Sequence, residues 1–196
     1  MKIKKFKNYE EYVSLQKDKT GNEEKRKKWF SNREENAELF ERTFKPYLKF
    51  FEEDFVCLCL GARSGEEVLA LRNLGFENSL GIDLIESGDG VVIEGDLHDL
   101  QYENEIDFIY TNVFDHVLYP EKMLQGIKKS LTDRGLALIQ LQLGNSYGDV
   151  HGVLDIDDSD EFEELVRKNG FEVILKETPR HKTPNNHSLN CNFLIR

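Results

Sequence analysis

Cysteine is scarce in this chain, with 3 in 196 residues. An odd number cannot pair completely, and Cys57 and Cys59 share one apolar run while Cys191 is remote, a spacing that fits neither a disulfide framework nor a zinc knuckle. The reading is buried, reduced thiols in a cytoplasmic protein. Long hydrophobic runs are missing as well. No stretch approaches the roughly 18 apolar residues of a membrane helix, and the first residues lack the apolar core of a signal peptide. The expectation is therefore a soluble, intracellular chain with no membrane partner. Internal repeats and low-complexity tracts are also absent.

Positive charge is short in the body of the chain. Residues 50 to 196 hold 12 Lys/Arg against 28 Asp/Glu, whereas residues 1 to 49 hold 14 against 9, within an overall charge of -11. So acidic a body repels nucleic acid. The basic lead "NEEKRKKWF" reads as a solvated helix face.

What is present is an alternation of apolar runs and amphipathic stretches. Residues 9 to about 51 read as helix, with Trp29, Phe30, Ala37, Phe40, Phe44, Tyr47, Leu48 and Phe51 at spacings of three or four and "DKTGN" as a break. Strand candidates follow at 55–60, 79–83, 91–94, 106–111, 135–142, 171–177 and 189–195. Helices are expected from the Ser64/Glu67 capping box to Gly75, from Pro120 with Met123, Leu124, Ile127 and Leu131 on one face, and from Asp158 or Ser159 to Gly170. This predicts an α/β, Rossmann-like sheet of seven strands, mostly parallel with helices on both faces. The last two strands have no helix between them and pair most simply as an antiparallel hairpin. The organisation expected is an N-terminal helical lid or brace over 1–52 and a Rossmann-like unit over 53–196.

The stretch "VCLCLGARSGEEVLAL" packs a strand, a glycine turn and a helix start together. In a doubly wound sheet that is where ligands sit, and the helix N-terminus suits a carboxylate or phosphate. The dinucleotide fingerprint of three glycines is missing, which disfavours NAD and FAD. Asp83 ends the next strand, 18 positions after Gly65, where a carboxylate can accept from a ribose diol. The link "IESGDG" is too short for the usual crossover helix.

The series "LCLGARSG", "GIDL", "GDLHDL", "IDFIYTNVFDHVLYPEKML", "SLTDRGLALIQL" and "KNGFEVI" resembles the motifs of class I S-adenosylmethionine-dependent methyltransferases, closest to the small type 11 group. It covers roughly residues 55 to 196. The resemblance implies S-adenosyl-L-methionine as cofactor and S-adenosyl-L-homocysteine as product. It places Gly61, Ala62, Arg63 and Gly65 at the methionine part, Asp83 and Leu84 at the ribose, Asp96 and Leu97 at the adenine, and Asn112 to His116 at the methyl-transfer site. Arg63 stands where the family has a middle glycine; it either clamps the methionine carboxylate or points to solvent. His116 is the candidate general base, and His116, Tyr147 and His151 are candidate acceptor contacts. His98 reads as structural, and His181 and His187 as exposed. "TNVFD" keeps Asn112 and Phe114 but neither proline of the amino-methylating motif, and no acidic ligand set for a metal is found. The favoured acceptor is a small molecule. Methylation of protein or RNA docked on the basic N-terminal helices, and a catalytically silent scaffold, are the alternatives.

Overall fold

Side chains of period two put Cys57, Cys59, Phe108 and Tyr110 on one face of the central strands and Leu58, Leu60 and Ile109 on the other, so the sheet needs cover on both sides. The structure, a computed structural model, describes residues 1–144, 150–178 and 190–196. A short strand β1 (Lys2–Ile3) leads into α1 (Tyr9–Thr20), α2 (Glu23–Ser31), α3 (Arg33–Phe44) and a 3₁₀ turn (Lys45–Phe50). Then come β2 (Cys57–Leu60), α4 (Glu66–Asn73), β3 (Ser79–Asp83), β4 (Val92–Glu94), β5 (Ile106–Thr111), a 3₁₀ turn (Phe114–His116), α5 (Pro120–Ser130), β6 (Leu131–Gln142), β7 (Leu154–Asp155), α6 (Ser159–Lys168), β8 (Val173–Glu177) and β9 (Asn190–Ile195).

The large sheet has seven strands in the order β4-β3-β2-β5-β6-β9-β8. β9 lies antiparallel between β6 and β8, and the other pairings are parallel, as expected. No helix joins β3 to β4, in line with the short link. On one face α5 and α6 bury Met123, Leu124, Ile127, Phe162 and Val166 against Leu58, Ile109 and Phe193. On the other, α3 and α4 bury Ala37, Phe40, Phe44, Val68 and Leu71 against Cys57, Cys59 and Phe108. Each such large side chain contributes roughly 1.5–3 kcal/mol of transfer free energy. No helix among the described residues is long and apolar enough to cross a membrane.

The N-terminal helical run breaks near Gly21, as read from "DKTGN", with Asn22 capping α2 by accepting from Lys25 N; a second break at Asn32, not foreseen, makes it three helices and a 3₁₀ turn. The Ser64/Glu67 capping box does not form. Gly65, at φ +83°, is itself the N-cap, so the helix starts one residue too late for Ser64 to reach it, and Ser64 Oγ has no partner. A second, two-stranded sheet of β1 with β7 was not foreseen, because two residues carry no period.

Candidate functional site

The parallel order makes β2, β3, β4 and β5 end on one edge, and the connections leaving that edge carry most of the residues singled out in the sequence. The turn after β2 is the tightest of these. Gly61 sits at φ +77°, and its amide and that of Ala62 both donate to the Ile82 carbonyl, at 2.8 and 3.2 Å. The open sides of the glycines face protein: a Cβ on Gly61 would lie 2.4 Å from Val113 Cγ2, and one on Gly65 would lie 2.7 Å from Val91 Cγ1. Their absent side chains thus let the turn close against β5 and β4. Arg63, at φ +45°, donates its amide to Asp83 Oδ2 at 3.0 Å. The glycine turn and the carboxylate at the end of β3 are therefore joined directly.

Asp83 is 6% exposed. Burial raises its carboxyl above the ordinary range, against the backbone N–H groups of Arg63, Leu84 and Ile85 and the charge of Arg63, all of which favour the anion. Leu84 is partly buried beside it, and Leu97 is partly buried against the core. Asp96 has the opposite balance. Burial pushes it up, but hydrogen bonds from His98 and Tyr9 outweigh that and hold it at about 2. The Tyr9 hydroxyl donates to Asp96 Oδ2 at 2.5 Å, and the His98 amide donates to Oδ1 at 2.8 Å. His98 is buried, with Nδ1 on Asp96 and Nε2 accepting from the Tyr119 amide at 3.2 Å, a neutral Nδ1–H ring locked in place. This matches its structural reading.

At the end of β5, Asn112 has its Nδ2 buried without a partner, and Tyr110 donates to Gln140 at 3.3 Å. His116 follows in the 3₁₀ turn. Its Nδ1 donates to the His151 carbonyl at 2.9 Å, and its Nε2 faces Lys19 Nζ at 3.0 Å. The lone pair a general base would use is thus turned toward the lysine. His151 joins the group through that carbonyl, which also accepts from Gln16 at 2.8 Å. Tyr147, His181 and His187 lie outside the described residues.

The sequence reading expected a lid or brace over residues 1–52 but named none of the contacts it makes with this edge. Tyr9 on Asp96, Lys17 on Glu94 at 3.0 Å, Lys19 on His116, Arg26 on the Glu86 carbonyl at 2.9 Å and Arg33 on Asp89 all come from α1, α2 and the start of α3. The Arg63 guanidinium lies over the Trp29 ring of α2, 5.1 Å from its centroid. Glu67, fully buried in the first turn of α4, was read only as half of a capping box. The helical spacing of Trp29 to Phe51 signalled the cover, whereas its basic residues were read as a solvated face.

Neither a family model nor a curated protein matches the sequence. Solved structures do match the fold. The 1,6-didemethyltoxoflavin-N1-methyltransferase of Burkholderia thailandensis, solved with 1,6-didemethyltoxoflavin and S-adenosylhomocysteine, superposes with a TM-score of 0.75 at 15% identity, over 98% of this chain and 92% of that one. A TehB-like S-adenosylmethionine-dependent methyltransferase from Corynebacterium glutamicum gives 0.60 at 19% identity over 80% and 86%. The [4+2]-cyclase SpnF gives 0.63 at 12% identity over 79% of each chain. The chain has the class I S-adenosylmethionine-dependent methyltransferase fold.

Proposed function

We propose that this chain is an S-adenosylmethionine-dependent methyltransferase acting on a small molecule. The observation that carries the reading is the hydrogen bond from Arg63 N to Asp83 Oδ2, which brings the glycine turn and a buried carboxylate together on the ligand-binding edge of this sheet. Fold alone does not assign a reaction, since a cyclase shares it. The chemistry of the residues does fit the cofactor: carboxylates at 83 and 96, a left-handed turn opening a helix, and buried polar atoms without partners beside it.

In this reading Asp83, with Leu84, takes the ribose, Asp96 and Leu97 the adenine, and Gly61, Ala62, Arg63, Gly65 and Asn112 surround the methionine part. S-adenosylmethionine, when bound, supplies a methyl group already activated on a sulfonium. The protein then has to hold the acceptor in line and keep water out. Residues 1–52 serve as the lid that does the second task. His116 and His151 stand at the acceptor side, Tyr147 is assigned there from the sequence alone, and His116 serves as base once its Nε2 turns from Lys19 to a protonated acceptor.

The covering helices support a small acceptor, because a macromolecule would have to displace the contacts of Tyr9, Lys19 and Trp29 to approach the edge. A second reading, docking of an acidic macromolecule, has one observation in its favour: α2 buries none of its residues and leaves Lys25, Lys27 and Lys28 exposed. Titration calorimetry with S-adenosylmethionine and S-adenosylhomocysteine tests the cofactor. Micromolar binding of both is expected, and binding of neither ends the proposal. Neutralising the three lysines should leave turnover of a small acceptor intact, whereas loss of turnover favours the docking reading.

A further inference from the structure

An unpaired polar atom buried in a folded chain costs as much as a lost hydrogen bond, so such atoms are few and each calls for a reason. Among the described residues they are Arg33 Nε and Nη2, Ser64 Oγ, Glu67 Oε2 and Asn112 Nδ2. The four residues come from the start of α3, the glycine turn, the first turn of α4 and the end of β5, yet they meet around one place. Arg33 Nη2 lies 3.2 Å from the position a Cβ would take on Gly65, next to Ser64. The Glu67 carboxyl feels the charges of Arg63 and Asp83, and its own charge reaches Tyr110, whose side chain Asn112 also neighbours.

The missing partners have signs. Arg33 has Nη1 on Asp89 and two nitrogens, Nε and Nη2, left over, which call for an anionic acceptor; the amide of Asn112 calls for an acceptor too. Glu67 Oε2 calls for a donor, best a cationic one. Its neighbour Glu66 is already engaged, accepting from Asn36 at 3.4 Å, and Arg63 is held under Trp29. A group carrying both an anion and a cation a few bonds apart satisfies the set. A lone phosphate, a neutral sugar or a lone amine satisfies only part of it.

We propose that this cluster binds the α-amino acid head of the cofactor, Arg33 taking the carboxylate and Glu67 the ammonium, with Ser64 and Asn112 completing the hydrogen bonds. The inference rests on the S-adenosylmethionine reading above and, besides Asn112, assigns the head to three residues that reading did not use, Arg33, Ser64 and Glu67. Arg33, and not Arg63, is then the carboxylate's partner. Because Arg33 opens α3, the covering segment itself becomes part of the cofactor site: a ligand with the head ties cover to turn, and one without it does not.

The test compares S-adenosylhomocysteine with 5′-methylthioadenosine, which has the same nucleoside and thioether but no amino acid head. Calorimetry is run on the intact chain and on Arg33→Met and Glu67→Gln, with melting temperatures of each. The expected result is that each substitution weakens S-adenosylhomocysteine by at least about tenfold, the share of a hydrogen bond between charged groups, and leaves 5′-methylthioadenosine within about twofold. Retained 5′-methylthioadenosine binding also reports that the variants fold. If that ligand is too weak to measure even on the intact chain, an unchanged melting temperature takes over the role. Equal losses for both ligands, or S-adenosylhomocysteine binding that neither substitution moves, overturns the assignment and leaves water as the partner of these atoms. If the intact chain binds neither ligand, the cofactor reading itself fails.

Discussion

Glu67 and Asp83 are both carboxylates buried beside the glycine turn, and burial raises both, but their compensation differs. Asp83 accepts from backbone N–H groups, while Glu67 has one oxygen without a partner, and burial first and Glu66 second push it up to about 8 from 4.5. The groups facing Glu67 are Glu66 and Arg63 from its own turn, Asp83 from β3, Cys59 from β2 and Tyr110 from β5. A raised acid binds more protons in the folded than in the unfolded chain. Its contribution to stability is therefore complete below about 4.5 and is lost as pH rises through about 8. The melting temperature of the ligand-free chain should fall across that window more steeply than that of Glu67→Gln; parallel curves would show that Glu67 titrates normally. Asp83→Ala should weaken S-adenosylhomocysteine by about 1–3 kcal/mol through lost bonds to a charged acceptor. A dissociation constant unmoved by the change would take Asp83 out of the site.

At the scale of elements, what could be read from the chain was whatever a local period specifies. α5 was read from Met123, Leu124, Ile127 and the proline that opens it, and β5 from a mostly apolar run broken by Asp107. The start of α4 was misread because a backbone property, the left-handed Gly65, sets it, whereas the Ser64/Glu67 spacing speaks only of side chains. A lid was expected from the N-terminal helices, but the contacts it makes with the site were not legible, for a different reason. Tyr9 meets Asp96 across 87 positions and Lys19 meets His116 across 97, and no spacing rule reaches that far. The carboxylates at 83 and 96 stood out because each follows directly on a strand; Tyr9, Lys19 and Arg33 sit in ordinary amphipathic helices and looked like surface.

The same contacts give α1 a defined latch. Tyr9→Phe removes the hydroxyl that Asp96 shares with His98 while keeping the ring that stacks on Tyr119, 5.7 Å between centroids. Amide exchange in α1 should speed up by about tenfold or more, the worth of one hydrogen bond to a charged group, while β5 and β6 exchange as before. Unchanged protection of α1 would mean that its apolar contacts, through Tyr12 and Leu118, hold it unaided.

For the whole molecule the division of charge has a consequence that no single pair carries. The first 49 residues have a surplus of positive charge and the remaining 147 a large surplus of negative charge. Exposed pairs such as Lys17 with Glu94 contribute only about 0–1 kcal/mol each. The attraction between the two parts as bodies adds to them, and salt reaches it more readily than it reaches buried apolar contacts. Raising ionic strength from about 0.1 M to about 1 M shortens the Debye length from about 10 Å to about 3 Å. Exchange in α1 and α2 should therefore accelerate with sodium chloride, and S-adenosylhomocysteine should slow it again by tying Arg33 to the turn. The core strands β2, β5 and β6, buried among apolar side chains, should respond to neither. Should salt loosen cover and core alike, the two would be one cooperative unit, and a lid that opens independently of the sheet would be ruled out.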